Sequence, residues 1–306
     1  MARVARTAGQ VVSATQLEQF IAEHRLPDTF HRTATNFYDP LANWLRRQLE
    51  RKTPFLLGIN GAQGTGKSTL AAYLALALGG PGARSVAVLS IDDFYLTRAD
   101  RRQLAETAHP LLAVRGVPGT HDIPMLRQCL SHLRGLGAGE RARLPRFDKA
   151  RDDRADEASW PAITGPVGLI VLEGWCVGST AEPEAGLEAP VNALEATRDR
   201  DKRWRRYVNG RLATDYAAVF AALDALVFLQ APGFEAILRW RIEQERKLAA
   251  SEDGPAAGLM NDDEVREFVQ YFERITRNNL RTVRSNADIV LELDEHHDCV
   301  ASHFLE

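Results

Sequence analysis

Five apolar runs of strand length punctuate the chain, at residues 55–59, 85–91, 168–172, 225–229 and 287–293. They are apolar nearly throughout, the pattern of strands buried on both faces in a parallel sheet. Between them apolar positions recur at helical spacing. Ser13 predicts a cap for a helix over 16–23, and Asp39 a cap for one over 40–51, with Pro40 at its first position and Leu41, Trp44, Leu45 and Leu49 on one face. Further helices are predicted over 69–78, over 97–108, from a cap at Thr120 or Asp122 to 133, across 191–223, over 234–250, and from a cap at Asp262 or Asp263 to about 282. Strands alternating with helices demand crossover connections, which predicts an α/β fold: three layers, with a mainly parallel sheet flanked by helices. No internal repeat is visible. Residues 1–306 are expected to form a single domain, with 1–50 as a helical extension and 234–260 as a lid.

The first of these strands runs into Gly61-Ala62-Gln63-Gly64-Thr65-Gly66-Lys67-Ser68, and a helix follows at once. The spacing is that of the phosphate-binding P-loop, in the strand–loop–helix context it requires, and makes the expected fold that of a P-loop NTPase. Glycines let the backbone come close to a polyphosphate, and successive N–H groups together with the helix dipole face the anion. The cradle then comprises Gly61, Ala62, Gln63, Gly64, Thr65, Gly66, Lys67, Ser68 and Thr69, with Lys67 on the outer phosphates and the Ser68 hydroxyl on Mg²⁺. ATP and Mg²⁺ are the expected cofactors.

Two other strands end in acids. Asp92 and Asp93 follow the second, and Glu173 closes the third in Leu-Glu-Gly, a Walker B pattern whose carboxylate serves the metal. Either aspartate could instead cap the next helix. Tyr95 follows in the same segment, and His121 sits in a turn-rich loop, a lone histidine that reads either as structural or as bordering a substrate site. The stretch 143–160 is dense in both signs. It reads either as a solvated loop or as a binding segment, with Arg146, Asp148, Lys149, Asp153 and Arg154 available to an anionic or hydroxylated substrate. The helix at 234–250 carries Arg239, Arg241 and Arg246, suited to closing over phosphates. A flexible patch is expected at 251–255.

Composition narrows the partners. With 306 residues, 45% hydrophobic and 26% charged, the chain has ample material for a core. A net charge of −3 and a pI near 6.3 lend no support to nucleic-acid or membrane-surface binding. Three scattered cysteines form no Cys-x-x-Cys pair, which fits a reducing cytoplasm. No apolar stretch reaches membrane-spanning length. The first residues carry Arg3 and Arg6 without a continuous apolar core, so they read as a short unstructured start and not as a secretory signal. Oligomeric state is left open.

The segments GINGAQGTGKSTL, SIDDFYLT, VPGTHD, LPRFDKARDDR, LIVLEGW and NLRTVRSNADIVLEL, in that order, resemble the P-loop kinases of phosphoribulokinase, uridine kinase and bacterial pantothenate kinase type, and within them the D-glycerate 3-kinase branch. The resemblance spans roughly residues 37–294. It implies transfer of the γ-phosphoryl group of ATP to a hydroxyl of D-glycerate, or in the alternative of pantothenate, a nucleoside or a sugar phosphate. It further implies that Asp92 is base or Mg²⁺ organiser, that Glu173 is the Mg²⁺-linked carboxylate, and that Arg239 and Arg241 lie on a catalytic lid. Asp93, Tyr95, His121, Arg146, Asp148, Lys149 and Arg154 are the candidates for the acceptor site. A regulatory NTPase is the reading from another class. The absence of an Asn-Lys-x-Asp guanine motif counts against it.

Overall fold

The five apolar runs become strands β1 (Phe55–Gly61), β2 (Ser85–Ser90), β3 (Val167–Gly174), β4 (Ala225–Gln230) and β5 (Ile289–Leu293) in a computed structural model that describes residues 11–80, 82–249 and 260–305. They lie mutually parallel in the order β2–β3–β1–β4–β5. A sixth strand, β6 (Cys299–Phe304), pairs antiparallel with β5 at the sheet edge. It has little sequence signature, because most of its side chains stay partly exposed and Val300 is 56% exposed.

Alternation along the strands builds the three layers. Leu56, Ile170, Leu172 and Phe228 face one core with Leu126, Trp204 and Phe272, from the helices Ile123–Gly135, Arg203–Arg211 and Asp262–Thr282. Leu57, Ile59, Val171 and Val227 face the other with Phe20, Leu45, Leu74 and Trp240, from Ala14–Glu23, Asp39–Arg51, Lys67–Leu78 and Phe234–Ala249. Each fully buried aliphatic or aromatic side chain adds roughly 1.5–3 kcal/mol, so both faces contribute to stability. The N-terminal helices thus serve as packing for the nucleotide core.

Ser13 caps the first helix with a reciprocal capping box to Gln16, as its position predicts. Three other expectations change. Asp39 is not a cap: helical backbone already runs from Phe30 and passes through a wide π turn at Ala34–Tyr38 into Asp39–Arg51. The wide turn lies where Pro40 would break a regular helix, and buried Asp39 instead accepts the Tyr73 hydroxyl at 2.6 Å. The stretch 191–223 is not one helix. It breaks after Ala193–Arg198, where buried Asp199 accepts the backbone N–H groups of Trp204 and Arg205 and starts Arg203–Arg211. The last long helix is capped by Asn261, with a capping box to Glu264, in place of Asp262 or Asp263. Of the unstructured start expected at 1–14, residues 1–10 lie outside the described residues, but Val12 is buried in the core and the first helix begins at Ala14, so that expectation fails there. The flexible patch expected at 251–255 also lies outside the described residues. Among the described residues no helix is long and apolar enough to cross a membrane.

The charged stretch 143–160 folds into short ribbons. Arg141–Arg143 pairs with Ala162–Thr164, and Phe147–Asp148 with Asp153–Arg154. The second ribbon carries Lys149 near its tip. The sheet register sets the carboxyl ends of three strands side by side, with Asn60 of β1 opposite Gly174 of β3 and Glu173 opposite Ser90 of β2.

Candidate active site

A cavity of about 370 Å³ opens at those three strand ends. Gln63, Gly64, Lys67 and Ser68 come from the loop after β1, Ser90, Asp92 and Tyr95 from the end of β2, and Glu173, Gly174 and Trp175 from the end of β3. This is where open α/β sheets hold ligands. The loop turns into its helix at Gly66, whose φ of +84° is left-handed and favours glycine. Inside the loop Thr65 is buried and its hydroxyl donates to the Ala62 carbonyl at 2.9 Å.

Lys67 reaches across the loop and donates to the Ala62 carbonyl at 2.9 Å. Burial pushes its pKa down, while the neighbouring carboxylates of Glu173 and Asp92 pull it back up. The Ser68 hydroxyl donates to Glu173 Oε1 at 2.9 Å. A hydroxyl and a carboxylate in contact at the mouth of a phosphate loop are hard oxygen donors of the kind Mg²⁺ takes.

Asp92 follows β2 in a tight turn that Ser90 caps, its hydroxyl accepting the Asp92 N–H. Lys149 donates to Asp92 Oδ2 at 2.7 Å and the Tyr95 hydroxyl to Oδ1 at 2.7 Å. Burial alone would raise the Asp92 pKa, but Lys149, by charge and hydrogen bond, and Tyr95 outweigh it and hold the carboxyl below its ordinary value. Asp93 points elsewhere. It accepts Arg146 at 3.3 Å and the Phe147 N–H at 3.3 Å, and its pKa is raised by burial.

Behind Tyr95 lies His121, buried and stacked on the tyrosine ring at 4.7 Å, with Nδ1 2.6 Å from the Tyr216 hydroxyl. Burial lowers its pKa to about 4, so it is neutral at pH 7. Of the other acceptor-site candidates, Lys149 lines the cavity. Arg146 braces Asp93, Asp148 accepts the N–H groups of Ala150 and Arg151, and Arg154 holds Asp122 Oδ2 at 2.9 Å. These three side chains shape the wall and do not line the cavity.

The arginine helix is sorted by its packing. Buried Trp240 stacks on His297 at 4.2 Å, and His297 Nδ1 lies 3.0 Å from the Gly64 carbonyl oxygen. This contact sets the rotation of the helix. Arg241, itself paired with Glu245, then lines the cavity beside Gln244, while Arg239 pairs with Glu295 and Arg246 with Asp262 outside it. Sequence reasoning did not single out Arg115, Ser90, Trp175, Gln244, Phe268 or Phe272, all of which line the cavity.

No protein-family model matches the chain. A protein of Schizosaccharomyces pombe named as an uncharacterized kinase, mug58, is 36% identical over 248 residues, covering 76% of this chain and 84% of that protein. The chloroplastic D-glycerate 3-kinase of Arabidopsis thaliana is 30% identical over 254 residues, covering 78% of this chain but 52% of that enzyme. The solved structure of a D-glycerate 3-kinase from Cryptococcus neoformans var. grubii superposes with a TM-score of 0.71 at 25% identity, covering 88% of this chain and 99% of the other.

Proposed function

The chain belongs to the P-loop small-molecule kinases, the group with D-glycerate 3-kinase, uridine kinase and pantothenate kinase among its members, and we propose that its own acceptor is D-glycerate. It is an ATP-dependent phosphotransferase with a hydroxyl acceptor. The observation that carries the fuller reading is that Asp92, paired with Lys149 and Tyr95, shares one cavity with Lys67 and Ser68 of the phosphate loop. A phosphate donor and a hydroxyl beside a base then meet in a single space. The D-glycerate 3-kinases named above support the choice of acceptor.

Catalysis in this reading is positioning and charge compensation. Lys67 and the loop N–H groups hold the outer phosphates. Ser68, Glu173 and Asp92 are the residues that would hold Mg²⁺, which when bound offsets charge on the phosphate oxygens. Asp92 accepts the proton of the acceptor hydroxyl. Its depressed pKa keeps it ionised at neutral pH, and Tyr95 and Lys149 fix its orientation. Arg241 faces the transferring group.

Coupled measurement of ADP release tests the acceptor. D-Glycerate is expected to be turned over well ahead of L-glycerate, pantothenate, uridine and ribulose 5-phosphate. EDTA should stop the reaction and added Mg²⁺ restore it. Turnover of another acceptor in place of D-glycerate, or ATP hydrolysis indifferent to any acceptor, would refute the assignment. A second measurement addresses the lid: Arg241→Gln should lower kcat by about 10- to 100-fold, the loss of one cation at the transferring group, and by more than Arg239→Gln does. Equal effects would remove Arg241 from the site.

A further inference from the structure

The cavity carries more positive charge than a phosphate loop requires, and one cation in it has no task in the reading above. Lys67 belongs to the loop, Lys149 is engaged with Asp92, and Arg241 comes from the arginine helix. The fourth cation, Arg115, lines the cavity with Asp92, Tyr95 and Lys149. Its loop is held rigidly. Gly116 takes φ +130°, where an added Cβ would lie 2.6 Å from the Phe272 ring, and its carbonyl accepts Trp175 Nε1 at 2.9 Å. The Gly116 N–H donates in turn to buried Thr120.

Arg115 pairs with Asp152, but that carboxylate is shared. Arg101, 1% exposed, donates to Asp152 Oδ1 at 3.1 Å and to its carbonyl at 2.9 Å, and lies 2.9 Å from Oδ2. One carboxylate cannot neutralise two guanidinium groups. The deeply buried Arg101 has the greater need of a counter-charge, because its desolvation is the more complete. One positive charge is therefore left over, on the partner whose side chain remains 29% exposed and lines the cavity. The Arg115 guanidinium has five N–H donors, and among the described residues it uses one on Asp152 and a long one, 3.5 Å, on the Lys149 carbonyl. The Phe147 ring lies 5.7 Å from Arg115 and 5.8 Å from Arg101 and keeps the pair in place.

We infer that Arg115 is the anion subsite for the acceptor and receives the carboxylate of a small hydroxy acid, with Arg101 and Asp152 as its positioning residues. A singly charged carboxylate matches the one uncommitted charge. A phosphate ester would bring about two charges to it. This inference rests on the kinase reading above and assigns the group that would tell glycerate from a neutral alcohol.

The test compares D-glycerate with glycerol, which offers hydroxyls without the acid. In Arg115→Gln the KM for D-glycerate should rise by about 10- to 100-fold, the value of a charge-assisted contact, and the ratio of kcat/KM for D-glycerate over glycerol should fall by a similar factor. The KM for ATP should move little. Arg115→Lys should recover only part of the loss, since an ammonium cannot present a paired fork, whereas added ethylguanidinium should restore D-glycerate turnover to Arg115→Ala. Asp152→Asn should raise the KM for D-glycerate and spare that for ATP, a split that general destabilisation does not produce. An unchanged KM for D-glycerate in Arg115→Gln, with wild-type turnover of D-glycerate intact, overturns the inference alone. If the wild type does not use D-glycerate, the acceptor proposal falls. The acceptor it does use then decides the subsite: a neutral or phosphorylated one overturns it, and another carboxylate whose KM rises in Arg115→Gln upholds it.

Discussion

Lys67→Ala should reduce ATP-dependent phosphorylation by at least ~10³-fold, at or beyond the upper end for loss of one electrostatic contact in a water-poor site. The side chain contributes little to packing. Its ammonium only bridges its own loop to the Ala62 carbonyl, and it sits at the first position of Lys67–Leu78, where alanine is at least as good a helix former. Loss of the cation gives up its attraction to Glu173 and Asp92 but also relieves the larger desolvation of a buried ammonium. The melting temperature should therefore change little while nucleotide affinity and kcat both fall. Near-wild-type turnover in a folded variant would mean that the loop does not carry the phosphates.

That prediction could be written from the sequence because the chemistry of a phosphate loop is local. The spacing of Gly61, Gly66, Lys67 and Ser68 sets backbone and side chains within a single turn. Asp92 and Glu173 were legible for a related reason: a residue at the carboxyl end of a buried strand in a parallel sheet has its position set by the sheet, and the register of β2, β3 and β1 brings the ends together.

Residues whose place depends on distant packing were not legible. Arg239, Arg241 and Arg246 share one helix, and its rotation is decided by Trp240 against His297, 57 positions later in the chain, a contact that helical spacing alone does not reveal. Phe268 and Phe272 read as the ordinary apolar face of a helix, yet both line the cavity. Arg115 looks like a solvated charge in a turn. Its place follows from Gly116 against Phe272 and from Asp152 on a ribbon formed by a stretch that reads as a charged loop. The break at Asp199 was hidden for the converse reason: Asp-Arg-Asp-Lys carries no glycine or proline, and the aspartate ends one helix and starts another only by being buried.

Asp92→Asn separates three roles for one carboxylate. The substitution keeps size and hydrogen-bonding capacity and removes charge and basicity. If Asp92 accepts the acceptor proton, ATP should still bind through the loop from Gly61 to Ser68 while transfer falls by ~10²–10⁴, the usual scale for a positioned base. If its task is to organise Mg²⁺, the affinity for Mg²⁺–ATP should weaken along with turnover. If it only shapes the turn after β2, about 1 kcal/mol of stability should be lost with catalysis nearly unchanged. The pH profile adds a further mark. Lys149 and Tyr95 hold the Asp92 carboxyl below its ordinary value against the effect of burial, so it stays ionised to lower pH than a free aspartate. The acid limb of kcat/KM assigned to it should accordingly lie below the ordinary carboxylate range, and Lys149→Met, which removes the pairing cation, should move that limb upward. Nucleotide affinity, D-glycerate turnover and melting temperature measured on the asparagine variant distinguish the three. Full turnover with a lowered melting temperature would take Asp92 out of the chemistry.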